Sequence, residues 1–217
     1  MAQLFEIHPE NPQVRLIRRA AEIIREGGVI VYPTDSCYAL GCHLGDKEAM
    51  QRIRRIRMAD ETHHFTLVCR DLSEIARYAR VDNRQYRLLR KYTPGPYTFL
   101  LRATRDTPKR LQNPKRRTIG IRIPDHPVPQ LLLRELNEPI MSSTLLLPGE
   151  DLPQTDAREI RQRLEQQVDV VLDGGHCGLE PTTVIDLASE VPAIVRRGRG
   201  DPRPFEVAAT GRGLSRV

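Results

Sequence analysis

The chain has 217 residues, enough for one large domain and short for two, with 39% apolar and 29% charged residues. No run of about 18 apolar residues occurs, which argues against a membrane-spanning helix. The opening MAQLFEIHPENP lacks the basic-then-apolar order of a secretory leader. Cys37, Cys42, Cys69 and Cys177 form no CxxC pair and no short-domain disulfide framework, so a reducing, cytoplasmic setting is expected.

In chain order, Asn11 and Pro12 are read as the cap and first position of a helix. Val14, Ile17, Ala21 and Ile24 follow at helical spacing, and Gly27-Gly28 stops it. VIVYPTDSCYALGC then opens as a buried strand, because Val29, Ile30 and Val31 are β-branched and apolar. Pro33 ends its pairing. Asp46 caps a second helix with Ala49, Met50, Ile53 and Ile56 on one face. Residues 65–69 read as a strand, and 71–78 and 82–91 as helices ended by Thr93-Pro94-Gly95-Pro96. Strands are expected over 97–101, 118–123 and 140–144, with a helix over 126–136. A last helix over 156–164 precedes strands over 168–172, 183–187 and 193–196. Helix–strand units mixed with runs of strands predict one α/β domain, residues 1–206, around a largely mixed sheet with flanking helices. The ending EVAATGRGLSRV reads as a loose tail, residues 207–217 at least.

Charge is unevenly placed. From Arg84 to Arg122 there are twelve Lys or Arg and one acid, Asp106, so this segment is +11 in a chain of +6. Such a field attracts polyphosphates, although a charge-rich stretch also serves as a solvated surface. Tyr86, Tyr92, Tyr97 and Phe99 are interleaved with it. They suit either base stacking or the core, and Phe99, inside an apolar strand, is assigned to the core. Lys109, Arg110, Lys115, Arg116 and Arg117 are the candidates for an RNA backbone.

Several familiar sites are missing. There is no GxxxxGK[ST], no GxGxxG after a strand and no GxSxG. His63 and His64 are adjacent and so point apart in a loop or strand, which does not make up a tetrahedral set, so no metal site is expected. Asp173 and Asp186, near strand ends, are read as caps rather than as a catalytic acid pair. Pro33-Thr34-Asp35-Ser36 has two readings: a turn closed on itself, or a polar floor at a strand end where ligands gather. In the second reading Thr34 and Ser36 donate and accept, Asp35 accepts from an ammonium, and Tyr38 is a flat wall with a polar tip.

VIVYPTDSCYALGC, IRRIRMADETHHFTLVC, TPGPYTFLL, TIGIRIPDHP, EPIMSSTLLLPG, PTTVIDL and AIVRRGRGD, in this order, closely resemble the YrdC/YciO family, and the YciO branch most. The resemblance runs from about residue 14 to 205. It implies a twisted α/β sheet with a basic concave face. It also implies binding of tRNA or double-stranded RNA, and kinship with synthases that join threonine, bicarbonate and ATP into threonylcarbamoyl-adenylate, releasing pyrophosphate. ATP or AMP is then an expected ligand, with magnesium only if the chain is a synthase; no tightly bound cofactor is expected. The resemblance places Thr34, Asp35, Ser36 and Tyr38 against threonine and carboxylate. It places Arg57, Arg122, Thr144, Thr182 and Arg196 around the nucleotide. Two positions depart from the synthase pattern: a KxR motif reads Arg57-Met58-Ala59, and an SxN motif reads Thr144-Leu145-Leu146. These departures argue against efficient ATP-dependent synthesis and for a pocket open to an adenosine still attached to RNA, with no catalytic residue assigned. The alternatives are a threonylcarbamoyl-adenylate synthase despite the departures and a non-catalytic ribosome- or translation-associated RNA-binding factor.

Overall fold

All three residues of β2 (Ile30–Tyr32) are buried, because helices cover both faces of the sheet at its centre. The computed structural model describes residues 1–58 and 65–210. In β2, Val31 points into one core with Leu40, Ile53 and Ile121. Ile30 and Tyr32 point into the other, with Ile17, Ile24 and Leu132. The two-residue alternation of a strand thus divides one segment between two cores. Each fully buried Ile or Val there contributes about 1.5–3 kcal/mol.

The second core lies under α1 (Val14–Arg25) and α5 (Pro127–Leu136). The first takes the apolar faces of α2 (Lys47–Arg57) and α6 (Ala157–Arg163). The other helices are α3 (Leu72–Tyr78), α4 (Asn83–Tyr92) and α7 (Arg203–Thr210). Local chemistry starts most of them as expected. Asp46, Asp71 and Asp156 accept backbone N–H bonds at 2.9 Å, and Asp82 forms a complete capping box with Gln85. Each cap stabilises by about 1 kcal/mol.

The remaining strands are β1 (Gln3–Glu6), β3 (Ala39–His43), β4 (Thr66–Val68), β5 (Ala79–Arg80), β6 (Tyr97–Ala103), β7 (Thr118–Arg122), β8 (Ile140–Thr144), β9 (Val170–Asp173), β10 (Thr183–Asp186) and β11 (Ala193–Arg196). They form one sheet in the order β1-β9-β2-β3-β8-β4-β7-β6-β10-β11, with β5 paired to β6. The pairs β1–β9, β2–β9, β4–β7 and β6–β10 are parallel and the rest antiparallel. This is the single-domain mixed α/β sheet expected from the sequence.

Several local expectations need correction. The first helix starts at Val14, not Pro12. The Gln13 carbonyl accepts from Leu16 and Ile17, while Asn11 and Pro12 lie in the lead-in, where the Asn11 amide bonds His8 Nδ1. Val14 is 45% exposed and is not part of the buried face. β1, β3 and β5 were not anticipated. β1 is short and lies at the sheet edge, and β5 has two residues. β3 hides in ALGCH, which returns antiparallel to β2, so VIVYPTDSCYALGC is a hairpin rather than a strand end. Gly41 is required there, because a Cβ would stand 2.8 Å from the Tyr32 ring. At the other end, helix α7 continues to Thr210 where a tail was expected from Glu206. Phe205, 2% exposed, anchors the start of α7 against Tyr92 and Tyr97, with ring centroids at 4.9 and 5.8 Å. Residues 211–217 lie outside the described residues.

Candidate functional site

In the β2–β3 turn each of the two readings of Thr34-Asp35-Ser36 holds in part: Thr34 and Asp35 are satisfied by the protein, while Ser36 faces a cavity. The Thr34 hydroxyl accepts from the Ser36 and Cys37 amides at 3.1 and 3.2 Å and donates to the Cys37 carbonyl at 2.7 Å. It closes the turn on itself. Asp35 pairs with Arg122 of β7 and accepts the Asp125 amide at 3.1 Å. Its carboxylate is therefore neutralised by protein, not held open for an ammonium. Both side chains of that ion pair are about nine-tenths buried, 10% and 9% exposed. Tyr38 is fully buried and donates to the Gly175 carbonyl at 2.6 Å. Burial pushes its phenol well above the ordinary range. It is a core residue and not a pocket wall.

Ser36 is the member of the set that faces the main cavity. That cavity has a volume of about 530 Å³, and Ser36, Arg57, Arg122, Thr144, Thr182 and Arg196 all line it. The chain thus brings six of the nine expected ligand residues together. Thr34 and Asp35 instead line a smaller cavity of about 410 Å³ with His126, His176 and Arg199. The Asp35–Arg122 pair stands between the two.

Each cation in the main cavity has a structural reason for its place. Arg57 ends α2, where a positive charge complements the helix C-terminus. It donates to Ser143 Oγ at 2.6 Å and to the Leu146 carbonyl at 3.4 Å. Arg196 ends β11 and donates to the Thr182 carbonyl at 2.8 Å and to Thr182 Oγ1 at 3.2 Å. The Thr182 hydroxyl meets Thr98 Oγ1 at 2.8 Å. Arg122 donates to Ser36 Oγ at 3.2 Å as well as to Asp35, and its buried Nε–H has no acceptor among the described residues. Burial pulls the Arg57 guanidinium below its ordinary value, and the neighbouring Arg196 pulls the same way. Burial likewise lowers Arg196, with Arg122 adding to it. Crowded, part-buried guanidiniums of this kind favour an anionic ligand. Cys37, also on the wall, is a poor nucleophile, since burial lifts its thiol to about 11.

The sequence also left residues unfound. Ser142 and Ser143 line the cavity beside Thr144. The signal was present, since Ser-Ser-Thr is a polar run inside a core strand and needs partners. Leu152, Leu179 and Val195 form an apolar part of the same wall and are 56%, 46% and 57% exposed. They come from three separate segments and carried no signal. Leu146, at the synthase Asn position, is half-buried on the wall. Ala59, at the synthase Arg position, lies outside the described residues, as do His63 and His64. Among the described residues no cluster of three or more His, Cys, Asp or Glu is placed to hold a metal. Asp173 and Asp186 cap turns as expected, accepting the Gly175 and Ala188 amides at 3.1 and 2.9 Å.

Lys109, Arg110, Lys115, Arg116 and Arg117 are all exposed, on the connection between β6 and β7. Arg116 is not free: it donates to Asp186 at 2.6 Å and also lines the main cavity. Tyr92, Tyr97 and Phe99 are committed to the aromatic cluster around Phe205, so of the four interleaved rings Tyr86, 46% exposed, alone offers an open face.

Among the described residues no helix is long and apolar enough to cross a membrane. The Sua5/YciO/YrdC family model, described as telomere recombination, matches residues 22–198. Escherichia coli YciO is 55% identical over 205 residues, covering 94% of this chain and all of the relative, and its crystal structure superimposes with a TM-score of 0.91. A threonylcarbamoyl-AMP synthase of Chromobacterium violaceum is 33% identical over 83% of this chain and 93% of its own. Pyrococcus abyssi Sua5, solved with L-threonine, shares the fold at 23% identity, with a TM-score of 0.86 over 95% of this chain and 61% of its own. From the matched segment, the sheet and these relatives together, the chain belongs to the Sua5/YciO/YrdC family.

Proposed function

We propose that this chain is a YciO-type RNA-binding protein whose main cavity recognises adenosine, in the chemistry of threonylcarbamoyl-adenosine in tRNA. The observation that carries this reading is the cavity in which Arg57, Arg122 and Arg196 converge over a row of hydroxyls from β8 and the β2–β3 turn. Guanidiniums suit phosphate, and the buried Arg122 Nε–H is a donor that a phosphate or carboxylate oxygen would satisfy. The hydroxyls suit ribose and base edges. The exposed cations of the β6–β7 connection supply the salt-sensitive contact with the RNA backbone, whether tRNA or double-stranded RNA. Mass spectrometry of nucleosides after incubation with threonylcarbamoylated and unmodified tRNA tests it. A change in threonylcarbamoyl-adenosine content supports a reaction on the nucleoside. Unchanged nucleosides together with no RNA retention exclude both halves of the reading.

A second reading is threonylcarbamoyl-AMP synthesis from threonine, bicarbonate and ATP, favoured by the 33% identity to the Chromobacterium violaceum enzyme. Against it stand Ala59 and Leu146. A lost charge-assisted hydrogen bond costs about 1.5–3 kcal/mol, so two lower turnover by roughly 100- to 10,000-fold. Ala59→Arg with Leu146→Asn is expected to raise threonine- and ATP-dependent pyrophosphate release above that of the unaltered chain. If the unaltered chain already matches an authentic synthase side by side, the two departures do not matter and the second reading wins.

A further inference from the structure

A second, larger cavity of about 1020 Å³ opens beside the first, and its lining contains Arg80, Arg102, Arg105, Lys109, Arg116 and Arg117 with no acidic residue. Among the described residues, only Arg116 of these six has an acidic partner. Arg80 lies outside the basic segment Arg84–Arg122, and Arg102 and Arg105, inside it, are not among the five cations named as RNA candidates. Their placement is costly. Arg80 of β5 and Arg102 of β6 are direct cross-strand partners, and like charges facing each other across a strand pair destabilise it. Arg117 holds a left-handed backbone, φ 51°, which is uncommon for a long side chain.

The frame around these cations is fixed. The Thr104 amide and the Thr107 hydroxyl bond the Tyr78 carbonyl at 2.9 and 2.5 Å. Asn113 Oδ1 accepts the Lys115 and Arg116 amides at 3.0 and 2.9 Å, while the Asn113 amide bonds the Thr118 carbonyl at 2.7 Å. A cluster of cations on this hydrogen-bonded frame, two of them facing each other across a strand pair, suits a polyanion, which would offset the repulsion. Asn113, Arg116 and Thr118 line both cavities, so the two share one wall.

We propose that the second cavity is the phosphodiester-binding half of a single-stranded RNA site continuous with the main cavity. The backbone lies over Arg80, Arg102, Arg105 and Arg117. It crosses the shared wall at Arg116, and the next nucleoside enters the main cavity. A base paired within a duplex cannot enter such a pocket without leaving its stack, so the nucleoside that enters belongs to a loop or an unpaired strand, whether free, in tRNA or beside a duplex. The proposal rests on the adenosine reading of the main cavity for the identity of that nucleoside, and not for the backbone contact.

The experiment uses the full chain, a labelled unstructured adenosine-containing RNA, a blunt RNA duplex and free AMP, read by fluorescence anisotropy and calorimetry. Arg102→Gln with Arg105→Gln removes two cations. The expected result is a loss of roughly 50-fold in oligomer affinity at 50 mM salt and a shallower log–log salt slope by about 1.4, at about 0.7 per single-strand phosphate contact. AMP affinity should be unchanged in this variant, and saturating AMP should weaken oligomer binding to the unaltered chain. The variant should melt no lower than the unaltered chain, since a like-charge pair has been relieved. Oligomer affinity and slope unmoved by the double substitution overturn the proposal, as does tighter binding of the duplex than of the unstructured strand. No AMP binding, with oligomer affinity still dependent on Arg102 and Arg105, removes the adenosine reading and leaves the backbone site supported.

Discussion

Asp35→Ala is expected to lower folding stability by about 3–5 kcal/mol, the range for removing one partner of a buried ion pair. The carboxylate neutralises Arg122, holds the Asp125 amide and has only a tenth of its side chain exposed. Without it a guanidinium stays buried with Ser36 as its remaining side-chain partner. Asp35→Asn keeps the shape and the amide acceptor and should recover part of the loss. Removing both charges, Asp35→Ala with Arg122→Met, should be far milder than Asp35→Ala alone, because no unpaired charge remains. Urea unfolding followed by circular dichroism measures all three. A loss below about 1 kcal/mol for Asp35→Ala would show that water reaches Arg122 freely and that the pair is a surface one in energetic terms. Weakened ligand binding in Asp35→Ala is therefore to be read beside its stability, since the residue acts on the pocket through Arg122.

Affinity for structured RNA is expected to fall with salt at a log–log slope of about −3 to −5, for about four to six phosphate contacts. Between 50 and 200 mM salt that is a loss of roughly 100- to 1,000-fold. Reversing Lys115 and Arg117 to Glu should reduce binding to all RNA sequences alike, because phosphate contacts position without specifying. Arg116 is best left out of such a set. It covers Asp186, which is 5% exposed, so its reversal places two carboxylates together and confuses a binding loss with a folding one. Filter binding across a salt series measures the slope. A slope near zero rules out the electrostatic interface.

What could be read in the sequence was what local chemistry decides. Asp46, Asp71, Asp82 and Asp156 each find their partners within three residues, so the helix starts were visible. Long apolar strands such as β6 were visible for the same reason. The roles of Asp35 and Tyr38 were not, because their partners Arg122 and Gly175 lie 87 and 137 residues away. Both looked like ligand groups until the sheet supplied protein groups to satisfy them. Arg57, Arg122, Thr144, Thr182 and Arg196 were assigned by resemblance, and the sheet does bring them around one cavity. The apolar patch of Leu152, Leu179 and Val195 has no spacing to recognise, since it exists only after three distant segments meet.

The position of β9 has a consequence for how the chain is made. β9 lies between β1 and β2, pairing Val170 with Gln3 on one side and with Ile30 on the other. The two N-terminal strands therefore have no lateral neighbour in common until residue 173 has been synthesised. Until then the nascent chain carries β2 with one bare edge and β1 with none of its partners, both able to pair with another molecule. Closing the sheet spans some 167 residues of chain, the kind of long-range parallel pairing that folds slowly and leaves edges exposed meanwhile. The order of emergence from the ribosome, more than the strength of the finished core, sets when this molecule is most open to aggregation and to a holding chaperone.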